Sequence, residues 1–235
     1  MSKLKLSLGL LVIYSLVVTF ALHSIVSALG GWQYVYFKVT HHVGATATRV
    51  ARAEVFEALP ITEESIVFLG DSNMAQAEWG ELFPQHRVHN RGISGDTSVC
   101  MLNRVDPLLS GHPKKLFVMA GTNDLLNTND PDLTFKRLKR LIQHMLQRAQ
   151  GTEIIVKGIL PVNNSISSFW IDNSVIHLTN QRLSAFCHEQ GLTFIDTASY
   201  FIDPNNELNK KYTYDGVHLN GIAYLKWRSI LSNYL

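Results

Sequence analysis

The sequence predicts an α/β fold, a three-layer α/β/α sandwich around a central parallel sheet, preceded by an N-terminal hydrophobic helix. Three observations carry that expectation. After Pro60, short apolar runs alternate with longer stretches of helical periodicity in the order βαβαβαβαβα. The runs at 66–69, 115–120 and 153–159 are apolar almost throughout and bounded by Gly or polar residues, as strands buried on both faces of a parallel sheet must be. Residues 6–28 form a separate block without a single Asp, Glu, Lys or Arg.

The elements follow in order. The apolar block exceeds the roughly 20 residues needed to cross a bilayer core. Lys3 and Lys5 precede it, so the positive-inside rule assigns residues 1–5 to the cytoplasm, 6–29 to a transmembrane anchor and the rest to the far side. A cleaved signal peptide is the rival reading, with Val26-Ser27-Ala28 as a small-residue cleavage position. Either way the remaining domain is extracytoplasmic. Residues 30–60 read as a juxtamembrane linker. Gly30-Gly31 with Trp32, Tyr34, Tyr36 and Phe37 suggests an interfacial aromatic belt, and Val50, Val55, Phe56 and Leu59 fit a linker helix over 43–59 that lies on lipid or packs on the domain. The domain proper is expected over 61–235. It adds weaker strands at 87–90 and 193–196 and helices over 74–82, 98–109, 134–150, 175–190 and 221–234.

Composition narrows the function. With 21 Lys and Arg against 19 Asp and Glu, the net charge of +2 gives no footprint for nucleic acid. The Lys136, Arg137, Lys139, Arg140 group reads as the solvated face of a helix whose Leu138, Leu141 and Ile142 turn inward. The two cysteines, Cys100 and Cys187, lack zinc-ligand spacing and read as small buried side chains, a bridge being the alternative.

Ligands of open α/β sheets sit at the carboxyl ends of strands, and four short constellations lie at such ends or in late loops. Gly70-Asp71-Ser72-Asn73 offers a serine at a helix N-terminus, though the same residues make an ordinary cap. Asn90-Arg91-Gly92-Ile93-Ser94-Gly95-Asp96-Thr97 offers glycines whose N–H groups can approach a bound oxygen, or merely a flexible loop. Gly121-Thr122-Asn123-Asp124 offers a side-chain amide in what reads as a turn, and Asp215-Gly216-Val217-His218 offers a carboxylate and an imidazole in another. Each is weak alone. Together they supply a nucleophile, a base, an orienting carboxylate and three oxyanion donors.

On these four blocks the chain resembles the SGNH hydrolases, the GDSL-like lipases and esterases, from about residue 66 to residue 234. The resemblance implies a flavodoxin-like sandwich. It implies Ser72 as nucleophile, Asp215 and His218 as its partners, and an oxyanion hole from Ser72, Gly95 and Asn123, with Gly92 the alternative to Gly95. Asn73 departs from the Leu of the name-giving motif. Glu78-Trp79-Gly80-Glu81-Leu82-Phe83-Pro84, Leu160-Pro161-Val162-Asn163 and His218-Leu219-Asn220-Gly221 look like the branch of carbohydrate O-acetylesterases and platelet-activating-factor acetylhydrolase-like proteins. The expected activity is hydrolysis of short acyl esters, acetyl first, on carbohydrates, by way of an acyl-serine. The alternatives are a lysophospholipase or thioesterase, and an acyltransferase acting on a cell-envelope glycan. The scheme requires no metal or organic cofactor. Phe169 and Trp170, in the loop over 163–176, suit a sugar ring or an acyl chain.

Overall fold

A computed structural model describes residues 3–28 and 47–235. The expected aromatic belt at Trp32, Tyr34, Tyr36 and Phe37, and the start of the linker over 43–46, lie outside the described residues. The chain divides into two compact units, Met1–Val50 and Ala51–Leu235.

In the first unit, Lys3–Ala28 is one continuous helix of 26 residues. Its Gly9–Ser27 stretch is long and apolar enough to cross a membrane, a property that anchors and leader sequences share.

The second unit is built on five strands, β1 Ile66–Gly70, β2 Val88–Gly92, β3 Lys115–Met119, β4 Glu153–Lys157 and β5 Thr193–Ile195, paired in the order β2-β1-β3-β4-β5. All pairings are parallel. Helices cover both faces, and because strand side chains alternate, each face collects its own core. Val67, Leu69, Leu116, Val118, Ile154 and Val156 meet Leu138, Leu141, Met145 and Leu183 in a largely aliphatic cluster. Ile66, Phe68, Phe117, Met119 and Ile155 meet Trp79, Phe83, Phe201 and Trp227 in an aromatic one. There Phe68 stacks on Trp79 at 3.9 Å and on Phe117 at 4.8 Å between centroids, and Trp227 meets Trp79 edge-on at 5.5 Å.

The last residue of β4 places a cation inside that aromatic cluster. Lys157 is 0% exposed, with its Nζ 3.7 Å from the Trp227 ring centroid and 3.4 Å from Met74 Sδ. Ring quadrupoles attract a cation, yet they replace its hydration only in part. Burial accordingly holds the Lys157 amine well below its ordinary range, against the pull of Asp71.

Several expectations need correction. The helix expected over 74–82 is two short ones, Ser72–Ala75 and Trp79–Leu82, and the Trp79 indole N–H donates to the Met74 carbonyl across the break, at 2.9 Å. The helix expected over 98–109 is also two, Ser98–Leu102 and Asp106–Leu109; Pro107 in the first turn of the second has no N–H to continue the ladder. Residues 122–128, expected to begin as a turn, form the helix Thr122–Thr128. Both cysteines are free, but only Cys187 is buried, which pushes its thiol up to about 12; Cys100 is half-buried.

The long helices follow their caps. Asp130 accepts the N–H groups of Asp132 and Leu133 ahead of Pro131–Arg148, Asp172 that of Ser174 ahead of Asn173–Glu189, and Asn220 that of Ala223 ahead of Gly221–Leu231. The linker helix is Ala47–Ala58. Within the second unit it packs on the fold. Arg52 Nε donates to the Gly92 carbonyl at 2.7 Å, and the Phe56 ring has the Arg52 and Arg91 guanidinium carbons 4.9 and 4.8 Å from its centroid. Arg91 also donates to the Leu59 carbonyl at 3.2 Å.

Candidate active site

Three loops leave the sheet at one level. Gly70 of β1 is in register with Gly92 of β2 and Met119 of β3, so Asp71–Ser72, the loop over 93–97 and the start of Thr122–Thr128 emerge side by side. The first four N–H groups of any helix lack internal partners, so caps and side chains settle where each loop turns. Asp71 caps Ser72–Ala75, its Oδ1 accepting the Asn73 N–H at 3.1 Å. Ser72 is thereby fixed as the first helical residue. Asp71 is only 1% exposed, and burial raises its pKa from 3.8 to about 6, the Asn73 N–H and the His218 and Lys157 charges opposing in part.

The loop before Gly221–Leu231 meets this serine. His218 Nε2 lies 2.9 Å from Ser72 Oγ, and His218 Nδ1 lies 2.6 Å from Asp215 Oδ2. The other carboxylate oxygen accepts the N–H groups of Val217 and His218 at 2.9 and 2.8 Å. Desolvation works to raise the Asp215 pKa, but the bonds from the His218 ring and the two backbone N–H groups outweigh it and lower the value to about 2. An ionised carboxylate only accepts, so the proton between them belongs to Nδ1, and Nε2 presents its lone pair to the serine hydroxyl. An imidazole held in this tautomer can take the hydroxyl proton as the oxygen attacks a carbonyl.

The two candidate glycines separate clearly. Gly92 sits in β2 against the Ser72–Ala75 helix, where a Cβ would fall 2.2 Å from Ala75 N, and its own N–H donates to Asn90 Oδ1 at 2.9 Å. Gly95 lies in the loop proper at φ +80°, a backbone that L side chains rarely adopt. Asn123, in the first turn of its helix, donates one Nδ2 hydrogen to the Asp96 carbonyl at 2.9 Å, which binds it to the residue after Gly95 and leaves the second hydrogen of the same amide.

Buried charges brace this loop, and the sequence had singled out none of them for a role. Arg104 donates to Asp96 Oδ2 at 2.7 Å and to the Arg91 and Gly70 carbonyls at 2.9 and 3.3 Å. Asp124 accepts the Ser98 N–H at 2.8 Å and the Ser98 hydroxyl at 2.6 Å. Asn73 bonds to the backbone on both sides of His218. A charge in an otherwise apolar or turn segment was the available signal for Arg104 and Asp124. Asn73 carried only its departure from the motif. Among the described residues no group of three or more His, Cys, Asp or Glu could hold a metal ion.

Residues 65–225 match the model of the GDSL-like Lipase/Acylhydrolase family. The alpha2 subunit of platelet-activating factor acetylhydrolase IB from Homo sapiens is 29% identical over 171 residues, covering 70% of this chain and 72% of the relative. Among solved structures, a candidate platelet activating factor from Streptococcus pneumoniae superposes with TM-score 0.73 at 27% identity, over 80% of this chain and 92% of that one. A GDSL-like lipase from Bacteroides thetaiotaomicron shares the fold with TM-score 0.67 at 23% identity, over 79% and 96%. The chain belongs to the GDSL-like lipase/acylhydrolase family and is a carboxylic ester hydrolase.

Proposed function

We propose that the protein removes short acyl groups, acetyl first, from ester-bearing carbohydrates on the outer side of a membrane, through an acyl intermediate on Ser72. The observation that carries this reading is the unbroken relay from Ser72 Oγ to His218 at 2.9 Å and on to Asp215 at 2.6 Å. Ser72 Oγ attacks the ester carbonyl carbon while its proton passes to His218 Nε2, and Asp215 stabilises the imidazolium. The oxyanion is received by the Ser72 and Gly95 N–H groups and the second Asn123 amide hydrogen. Collapse expels the alcohol, which takes the proton back from His218. Water then repeats the sequence on the acyl-serine and releases the acid.

The acetyl preference is supported by the acetylhydrolase to which the chain is related. The carbohydrate preference is supported by a neighbouring surface. The Asn163 N–H donates to the Gly216 carbonyl at 2.7 Å, so the loop from 163 packs on the Asp215–Gly216 turn, and it exposes Phe169 by 56% and Trp170 by 64%. Exposed rings beside a polar site suit the apolar face of a sugar. The outer placement is supported by Lys3 and Lys5 ahead of an apolar helix.

The test is hydrolysis of p-nitrophenyl acetate, butyrate and octanoate by the full chain in detergent, beside Ser72→Ala. Acetate should be cleaved fastest and the variant should be inert. Preference for octanoate would replace the acetyl reading with the lysophospholipase or thioesterase one, and an active Ser72→Ala would remove the acyl-serine.

A further inference from the structure

Asn73 follows Ser72 directly and is 1% exposed. Its side chain reaches 144 residues along the sequence. Nδ2 donates to the Val217 carbonyl at 3.3 Å, and Oδ1 accepts the Leu219 N–H at 3.0 Å. The carboxamide thus holds the backbone immediately before and immediately after His218, as the peptide group of a neighbouring strand would. Its own carbonyl is held in turn by the Tyr224 hydroxyl at 2.8 Å, from the helix that follows His218. The Ser72 helix is therefore joined at one residue to the His218 loop by two bonds and to the helix that follows it by a third.

We infer that Asn73 is a positioning residue for the ester hydrolysis, setting the approach of His218 Nε2 to Ser72 Oγ by clamping residues 217 and 219. The inference rests on the reading of Ser72 and His218 as nucleophile and base. The geometry explains why this position tolerates a polar residue in a buried place. An amide supplies one donor and one acceptor in one plane, and the two backbone groups it meets would otherwise be buried without partners. Leucine, the residue of the name-giving motif, branches at the same atom but is bulkier and offers neither. The loop would then lose both side-chain bonds that tie residues 217 and 219 to the Ser72 helix, keeping the Tyr224 bond to the backbone of residue 73 and the Asp215 turn.

A matched control exists in the same molecule. Asn180, on the helix Asn173–Glu189, is 7% exposed and makes the same pair of bonds to backbone, donating to the Ile159 carbonyl and accepting the Ile159 N–H, both at 2.8 Å. It clamps a segment that carries neither Ser72 nor His218. Asn73→Leu and Asn180→Leu therefore remove the same chemistry, one beside His218 and one elsewhere.

The experiment measures kcat and KM for p-nitrophenyl acetate, and thermal stability, for the full-length parent, both variants and Ser72→Ala. Small displacements of a catalytic group cost up to about a hundredfold, so Asn73→Leu is expected to lower kcat by about tenfold or more with KM little changed. Asn180→Leu should lose comparable stability and keep kcat within about twofold. A folded Asn73→Leu with parental kcat overturns the inference. So does a loss of kcat shared by both variants. If Asn73→Leu does not fold, Asn73→Asp keeps the acceptor and the volume while losing the donor to Val217, and parental kcat there overturns the inference equally. A Ser72→Ala that hydrolyses like the parent identifies a different failure, that of the nucleophile assignment.

Discussion

Two carboxylates flank the Ser72–His218 pair, and their surroundings send them in opposite directions. Asp71 is enclosed and receives one backbone N–H, from Asn73, so burial dominates and its pKa rises to about 6. Asp215 is half exposed and receives two backbone N–H groups and the His218 ring, so its pKa falls to about 2 despite some desolvation. Both accept, through Oδ1, the N–H of the residue two positions on. What separates them is the number of donors aimed at the charge against the water taken from it. One turn is built to hold a permanent anion next to an imidazole. The other holds a carboxyl that gives up its proton only near pH 6, in a shell shared with a buried lysine.

The contrast is sharpest in activity. Asp215→Asn removes the permanent anion and frees His218 to adopt the wrong tautomer, and kcat on p-nitrophenyl acetate should fall by about ten-thousandfold. A variant within tenfold of the parent would mean that Asp215 does not orient the base. On the other side of the serine, Asn123→Ala deletes the proposed third oxyanion donor and should cost about 2.7–4 kcal/mol of transition-state stabilisation, a hundredfold or more in kcat. Unchanged turnover would take Asn123 out of the oxyanion hole.

The same contrast predicts two opposite pH dependences of stability. The folded-state pKa of Asp71 lies above its unfolded value of 3.8, so between about pH 4 and 6 the native protein binds this proton more tightly than the unfolded chain. Stability from this group is therefore lost as pH rises through that window, by an amount on the order of 3 kcal/mol. Asp215 is the reverse. Its folded pKa lies below 3.8, so its contribution is present above about pH 4 and is lost as pH falls toward 2. Urea unfolding across pH 4–7 should show the Asp71 slope in the parent and lose it in Asp71→Asn, which keeps a capping side chain. A slope that survives in Asp71→Asn would assign it elsewhere.

The smallest effect expected is at Lys157. Replacing a buried cation by an apolar side chain of similar length is often neutral, so Lys157→Met should unfold within about 1 kcal/mol of the parent. Its removal also takes away the nearby positive charge that lowers the Asp71 pKa, and the pH window of the Asp71 slope should extend upward. A large destabilisation would instead mean that the ring contacts to Lys157 more than compensate its burial.

The strand runs and the residues at their ends were legible because both are local. A buried parallel strand must be apolar along its length, and the loop that follows must be polar, so the runs at 66–69 and 115–120 marked themselves, within a residue of the observed Ile66–Gly70 and Lys115–Met119, and pointed to Ser72 and Asn123. The relations between loops were not legible. Asn73 looks like a passive neighbour until Val217 and Leu219 are beside it. Lys157 passes unmarked inside the expected 153–159 run, because its cage comes from Trp79 and Trp227, one far before it and one far after. The breaks near residues 77 and 104 were invisible to periodicity, since apolar spacing continues across them while hydrogen bonds such as that from the Trp79 indole decide where the backbone turns. Thr122–Thr128 was hidden because the residues that cap helices also make turns.

The linker helix sets where this protein can be recombined. Arg52 and Phe56 lie ahead of Pro60, in what composition alone treats as a tether, yet one binds the carbonyl of Gly92 and the other shares its ring with Arg91. A fusion joint at Pro60 would strip Gly92, three residues from Gly95, of that bond and uncover the buried Arg91 that packs on Phe56. A joint ahead of Ala47 carries the whole helix with the hydrolase. The transferable unit thus begins ahead of Pro60, and exchanging the segment before it for another is constrained by a helix that already packs on the hydrolase.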